Sequence, residues 1–233
     1  EPSLNPSSSG QPSSCSSGPQ TASYDESLGV PKCSIGSSCD SGVTLNGRGT
    51  MNGGNEPNQP NTLNSCKSNR VCKDGDSGLY HIFASIDRIV VTSASGGGGG
   101  GGGESDCDLT EGDVVTITAT VWCSSRAQDR IDFYYASDAL CPVWTKIGNR
   151  QKCPGGGEQN MTASFTLPQG SIQAVRANVM PLPKTALASC TSGPLDETDD
   201  LVITVTPLPS SQPSSWPSAS PSTSDEPSSQ PSL

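Results

Sequence analysis

The stretch Asp113–Trp122, DVVTITATVW, constrains this chain more than any other. Val115, Ile117, Ala119 and Val121 alternate with Val114, Thr116, Thr118 and Thr120. A period of two gives one apolar face and one, mostly threonine, that tolerates water, which is the pattern of a half-buried β-strand. Such a strand has unpaired backbone donors and acceptors along both edges, so the rest of the chain must supply partners.

Six further segments answer that need: Ile86–Thr92, Ile131–Ala136, Val143–Ile147, Met161–Leu167, Ile172–Val179 and Leu201–Thr206. Turns such as CPGGG and LPQG separate them, and no stretch has the three-to-four residue period of a helix. The spacing predicts an all-β fold, an antiparallel β-sandwich of immunoglobulin-like or jelly-roll-like type. The run Gly96–Gly103 has neither a GKS nor a GxGxxG frame, so it reads as an inter-strand loop and not a phosphate cradle.

Composition divides the chain. With 31% hydrophobic and 4% aromatic residues, 26 Gly and 20 Pro, the apolar material is scarce and unevenly placed. Residues 1–23 and 207–233 are Ser/Pro-rich tails that favour extended polyproline II and cannot build a core. The foldable domain is 24–206, with a long disulfide-knit loop region at its N-terminal side. Within 24–78, the pieces CSIGSSCDSG and GNEPNQPNTLNSC are turn-rich, and a loop that long inside a compact unit is functional, cross-linked or both. Prolines 213, 217, 221, 227 and 231 give the C-terminal tail a four-residue period broken once. The opening EPSL resembles the closing QPSL, which fits one unit of a tandem array or a coincidence of composition.

A thin core needs cross-links, and ten cysteines offer them: Cys15, Cys33, Cys39, Cys66, Cys72, Cys107, Cys123, Cys141, Cys153 and Cys190. An even number without CxxC spacing reads as disulfides made in an oxidising compartment. Zinc would require close cysteine pairs or histidines, and His81 is the sole histidine. Order alone does not fix pairing; proximity favours Cys33 with Cys39, Cys66 with Cys72, and Cys141 with Cys153. The chain begins at Glu1 without an apolar leader and holds no run able to span a bilayer, so we expect a mature or excised secreted segment. A formal charge of −10 without any basic cluster argues against nucleic acid and anionic membranes as partners.

Candidate sites are few. GDSG at Gly75–Gly78 has the letters of a serine-protease nucleophile loop, yet the only possible base is His81, four residues beyond Ser77. It reads as a turn, and no catalytic residue is expected. The acidic runs ESDCDLTEGD and LDETDD read as solvated loops or as oxygen donors for a structural calcium ion, without an EF-hand frame. Asp199 and Asp200 are the first candidates, then Asp106 and Asp108. No motif requires a cofactor. Asn160-Met161-Thr162 is an N-glycosylation sequon, and the Ser/Pro tails suit O-glycans. Trp122 and Trp144 lie in strand-like stretches, where an aromatic is more often core than a sugar platform. Trp216 has no core of its own and, with Leu4 and Leu233, reads as an assembly anchor.

The series VPKCSIGSSCDSG, GRG, EPNQPNTLNSC, DGDSGLYH, SIDRIVV, TEGDVVTITATVW, DFYYA, SIQAVRANV and DDLVITV resembles a secreted β-sandwich domain. That domain is often appended to the C-terminal side of bacterial extracellular aminopeptidases and other secreted hydrolases. The series is similar, too, to domains in Ser/Pro-repeat surface proteins of algae and other aquatic eukaryotes. The resemblance spans most of 24–205 and implies a non-catalytic extracellular module. Cys72, Cys107, Cys123, Cys141, Cys153 and the glycine run depart from it. The expected role is a structural subunit of an extracellular glycoprotein filament, wall or matrix. The domain is then the bead and the tails join it to copies of itself. A carbohydrate-binding or adhesion module, or the accessory domain of a secreted hydrolase, is the alternative.

Overall fold

The computed structural model describes residues 20–208 except 35, 49–55, 59, 65, 67–71, 73, 76–77, 95–107, 125–127, 182–188, 191–192 and 194. The strands are β1 (Gln20–Thr21), β2 (Ser23–Asp25), β3 (Val30–Cys33), β4 (Ser38–Asp40), β5 (Ser85–Ser93) and β6 (Val114–Cys123). They continue as β7 (Arg130–Ala136), β8 (Thr145–Lys152), β9 (Gly157–Thr166), β10 (Ile172–Met180) and β11 (Glu197–Thr204). One sheet has the order β1-β4-β5-β6-β9 and the other β2-β3-β11-β10-β7-β8. Pairing is antiparallel except for β1 with β4 and β3 with β11. Among the described residues the only helical element is a 3₁₀ turn, Gly42–Leu45. No helix among them is long and apolar enough to cross a membrane.

The expected alternation of β6 sets the core. Val115, Ile117, Ala119 and Val121 are fully buried. They meet Ile89 and Val91 of β5, Ile131 and Phe133 of β7, Val175, Ala177 and Val179 of β10, and Leu201 and Ile203 of β11. Each fully buried aliphatic side chain of this kind contributes about 1.5–3 kcal/mol. The other face of β6 turns outward. There Thr116 and Ser164 share a hydrogen bond of 3.0 Å, and the Thr120 hydroxyl donates to Asn160 Oδ1 at 3.1 Å. A smaller cluster of Val30, Leu63, Ala139, Ala174 and Val202 lies on the far side of the six-stranded sheet, where the long loop covers it.

Three strands differ from their sequence-based bounds for one reason: their extra residues are polar. β8 runs Thr145–Lys152 because Lys146, Arg150 and Lys152 occupy a sheet edge, where charge protects against unwanted pairing. β9 starts at Gly157, and β11 at Glu197. The short strands β1 to β4 carry no apolar period. Trp144 precedes β8, and Trp122 lies on the outward face of β6.

The disulfides are Cys33–Cys39, Cys66–Cys141, Cys72–Cys190 and Cys123–Cys153, and no described cysteine is free. Cys15 and Cys107 lie outside the described residues. Only Cys33–Cys39 joins neighbours as expected. The pairings of Cys66 with Cys72 and of Cys141 with Cys153 do not form, because pairing follows which Cβ atoms the fold brings together. Cys33–Cys39 and Cys123–Cys153 each join the two sheets; Cys66–Cys141 and Cys72–Cys190 staple the long loop to the sandwich. Such cross-links call for an oxidising environment. Non-reducing peptide mapping should recover these four pairs, and a Cys66–Cys72 linked peptide would contradict the loop's placement.

Candidate metal centre

The site grows from the alternation of β11. Its register with β10 is unbroken, setting Glu197 opposite Val179, Asp199 opposite Ala177 and Leu201 opposite Val175. All three β10 residues face the core. Since side chains two apart share a face, Glu197 and Asp199 point between the sheets with Leu201 and Ile203, whereas Thr198, Asp200 and Val202 point the other way. The inner face of this strand thus changes from carboxylate to aliphatic along its length.

The long loop region brings two more carboxylates to the same place. Glu56, Asp74, Glu197 and Asp199 are all buried, and one oxygen from each lies within 4.8 Å of the others. Asn61, in the left-handed conformation at φ +44°, clamps the loop. Its amide donates to Glu56 Oε2 at 2.8 Å and to the Thr44 carbonyl at 3.3 Å. Its own carbonyl accepts from the Asp200 N–H at 2.9 Å. Asp74 is followed by Gly75 at φ +44°, where an added Cβ would lie 2.8 Å from Glu197 Oε2. Only a glycine lets the backbone pass this close to the carboxylate.

Among the described residues Arg48 is the cation in contact with the cluster. Arg48, itself fully buried, places Nη1 2.6 Å from Glu197 Oε2 and also donates to the Ala84 carbonyl. The Ile86 N–H donates to Glu197 Oε1 at 3.4 Å. Among the described residues Asp199 has nothing comparable: both of its Oδ atoms are buried without a hydrogen-bond partner there. Its nearest electrostatic company is Glu56, Asp74, Glu197 and Asp200, all acidic.

Burial, then these like charges, push the Asp199 carboxyl well above its ordinary range. Glu197 is also raised, by burial against the opposing pull of Arg48. Glu56 is pushed up to about 11, by burial first, then by the charge of Asp74 and a hydrogen bond with it. Two like charges 4.8 Å apart repel by roughly 3–4 kcal/mol even at an effective dielectric of about 20. Carboxylates held this close are relieved by taking up protons or a cation.

The donor set fits a hard cation. It holds oxygens only, without the histidine or thiolate that zinc prefers. Calcium binds oxygens at about 2.3–2.6 Å, so opposite ligands in its shell sit about 4.6–5.2 Å apart, which the 4.8 Å spread of this cluster matches. Magnesium dehydrates reluctantly and keeps several waters, which suits a wet cleft better than a site whose ligands are all buried.

Of the residues proposed from sequence, the structure brings only Asp199 into the cluster. Asp200 faces the opposite side of the sheet, where the Arg176 guanidinium grips it through Nε and Nη2 at 2.7 Å each, and the Leu63 N–H adds a bond of 2.6 Å. Arg176 also donates to the carbonyls of Leu63 and Ser189 and stacks 4.0 Å from the Trp144 ring. Asp200 is thus held in a satisfied ion pair on the face away from the cluster. Asp108 lies before the start of β6, away from the cluster, and Asp106 lies outside the described residues, as do Leu4, Trp216 and Leu233. Ser77 of the GDSG turn is also outside them, and His81 Nε2 sits 2.8 Å from Asp87 Oδ2. Asn160 is exposed on β9. Sequence reasoning did not single out Glu56, Asp74 or Arg48. The available signal was an isolated acid in EPN and another in DGD, inside a loop already marked as unusual.

The two neighbouring aspartates should separate cleanly by mutation. Asp199→Asn should abolish a calcium-dependent rise in melting temperature. Asp200→Asn should lower stability, since breaking a buried pair costs about 3–5 kcal/mol, yet keep that rise. Thermal unfolding with calcium and with chelator reads both.

No protein-family model matches this chain, and no curated protein matches it either.

Proposed function

We propose that this chain is a non-catalytic extracellular structural module whose β-sandwich is completed by one buried calcium ion held by Glu56, Asp74, Glu197 and Asp199. The observation that carries this reading is Asp199, fully buried with both carboxylate oxygens unpartnered among three other acids. An ion there neutralises the cluster and ties the long loop, through Glu56 and Asp74, to β11. The resemblance to secreted β-sandwich modules and the disulfides that brace the same loop support this reading. The module then acts as the bead of an extracellular filament or matrix. The Ser/Pro tails, with Leu4, Trp216 and Leu233 as anchors, connect it to further copies and carry O-glycans.

Calcium stabilises the fold only insofar as it binds the folded chain. At a concentration 100-fold above its dissociation constant the gain is about 2.7 kcal/mol, or roughly 5–10 °C for a domain of this size. The gain depends on pH. Without metal, the raised carboxyls hold protons that the unfolded chain releases near its ordinary carboxylate value of 4.5. Their contribution is therefore present below that pH and is lost as pH rises towards the folded-state values. The chelated protein should melt at lower temperature at pH 8 than at pH 5, and the calcium-induced rise should be larger at pH 8. A melting temperature indifferent to calcium at pH 8 would remove the ion from the account.

The connector role has its own test. A chain ending at Thr206 should keep its circular dichroism and its calcium response but fail to assemble. Normal filaments from it, seen by electron microscopy, would assign assembly to the domain.

A further inference from the structure

An open groove of about 610 Å³ lies on the outward face of the five-stranded sheet. Its walls include Val43, Tyr80, His81, Arg88, Glu158 and Asn160. Three rings stand in a row beside it: His81 stacks on Tyr80 at 3.7 Å and on Trp122 at 4.1 Å between centroids. None of the three belongs to the hydrophobic core. The row is held with some force. His81 adopts a left-handed φ of +57°, unusual for a residue with a Cβ, and its Nε2 is fixed 2.8 Å from Asp87 Oδ2. The Tyr80 hydroxyl donates to Asn46 Oδ1. Val43, 72% exposed, adds an apolar wall.

The chemistry of these walls selects the occupant. The ring face of Tyr80 and the side chain of Val43 suit the C–H surface of a pyranose ring, and Glu158 and Asn160 offer an acceptor and a donor for its hydroxyls. Arg88, the Lys or Arg that lines the groove among the described residues, is already committed to Asp40 through both Nε and Nη2. With Asp87 and Glu158 in the same wall, an anionic ligand is disfavoured. A neutral, hydroxyl-rich molecule fits.

Asn160 adds an independent observation, because it is the acceptor of the sequon Asn160-Met161-Thr162. On β9 the buried Met161 points inward, so Asn160 and Thr162 share the outward face. Asn160 sits opposite Thr120, and Glu158 sits opposite Trp122. Asn160 Oδ1 accepts the Thr120 hydroxyl at 3.1 Å, which turns the exposed amide nitrogen to solvent at the groove. We propose that the groove binds a saccharide, and that Asn160 is its attachment point, the first sugar units of an N-glycan lying against Tyr80, His81 and Trp122. Attachment uses a lipid-pyrophosphate-linked oligosaccharide as donor. The Asn160 amide nitrogen bonds to the anomeric carbon, the carbon–oxygen bond to pyrophosphate breaks, and one amide proton leaves with the released lipid pyrophosphate.

The full chain secreted from a eukaryotic line tests this, by peptide mass spectrometry at Asn160 and by NMR of the Tyr80 and Trp122 rings. The Thr162→Ala variant, which removes the sequon and keeps Asn160, is then titrated with chitobiose, the disaccharide of N-acetylglucosamine. The expected result is an occupied Asn160 with nuclear Overhauser contacts from N-acetylglucosamine to the rings. Chitobiose should shift the same ring signals in Thr162→Ala, and Tyr80→Ala introduced into that variant should weaken this binding about two- to tenfold. An unoccupied Asn160, an occupied Asn160 without sugar–ring contacts, or no response of Thr162→Ala to chitobiose would overturn the proposal.

Discussion

Four buried carboxylates within 4.8 Å of one another cannot all stay ionised without a countercharge. Glu56, Asp74, Glu197 and Asp199 meet between the loop and β11, with Arg48 as the cation in contact with them. Burial makes each charge expensive and the others make it worse. The last strand depends on how that conflict is resolved, because Glu197 and Asp199 occupy the same inward row as Leu201 and Ile203. Protons or a hard cation can relieve it, and without a cation the raised carboxyls hold their protons far above the ordinary carboxylate range. The unpartnered oxygens of Asp199 favour the cation, since a carboxylic acid there would find no acceptor other than an acid as crowded as itself.

The disulfides and the cluster act on the same element. Cys72–Cys190 anchors the loop two residues before Asp74, and Cys66–Cys141 anchors it between Glu56 and Asp74. Asn61 joins the two supports, holding Glu56 with its side chain and β11 with its carbonyl. A segment with little apolar surface of its own is thereby fixed by covalent bonds and by convergent charge. Among its described residues the sizeable apolar contributions are Leu45, packed into the main core, and Leu63, over Val202 and Ala174. The apolar work of the domain is left to β5, β6, β7, β10 and β11.

Much of this was legible in the residues. The alternation of 114–121 located β6 and its buried face, and the short apolar runs located β5, β7 and β10 closely. Strands or ends made of polar residues were not visible, as in β8 and the first half of β11, because hydrophobic period is the signal and they have none. Asp199 and Asp200 were indistinguishable as letters. Only the phase of the strand separates them, sending Asp199 to the cluster and Asp200 to Arg176. The partners Glu56 and Asp74 lie more than 120 residues from β11 in sequence, so the ligand set belongs to tertiary structure. Disulfide pairing was legible for the near neighbours Cys33–Cys39 and illegible, for the same reason, for the longer-range pairs.

The most direct measurement is anomalous diffraction from crystals of the protein grown in millimolar calcium. The account predicts one anomalous peak among Glu56, Asp74, Glu197 and Asp199, with carboxylate oxygens at about 2.3–2.6 Å from it and Asp200 still bound to Arg176. Crystals with that position free of any cation at neutral pH, and Asp199 hydrogen-bonded to water instead, would contradict it.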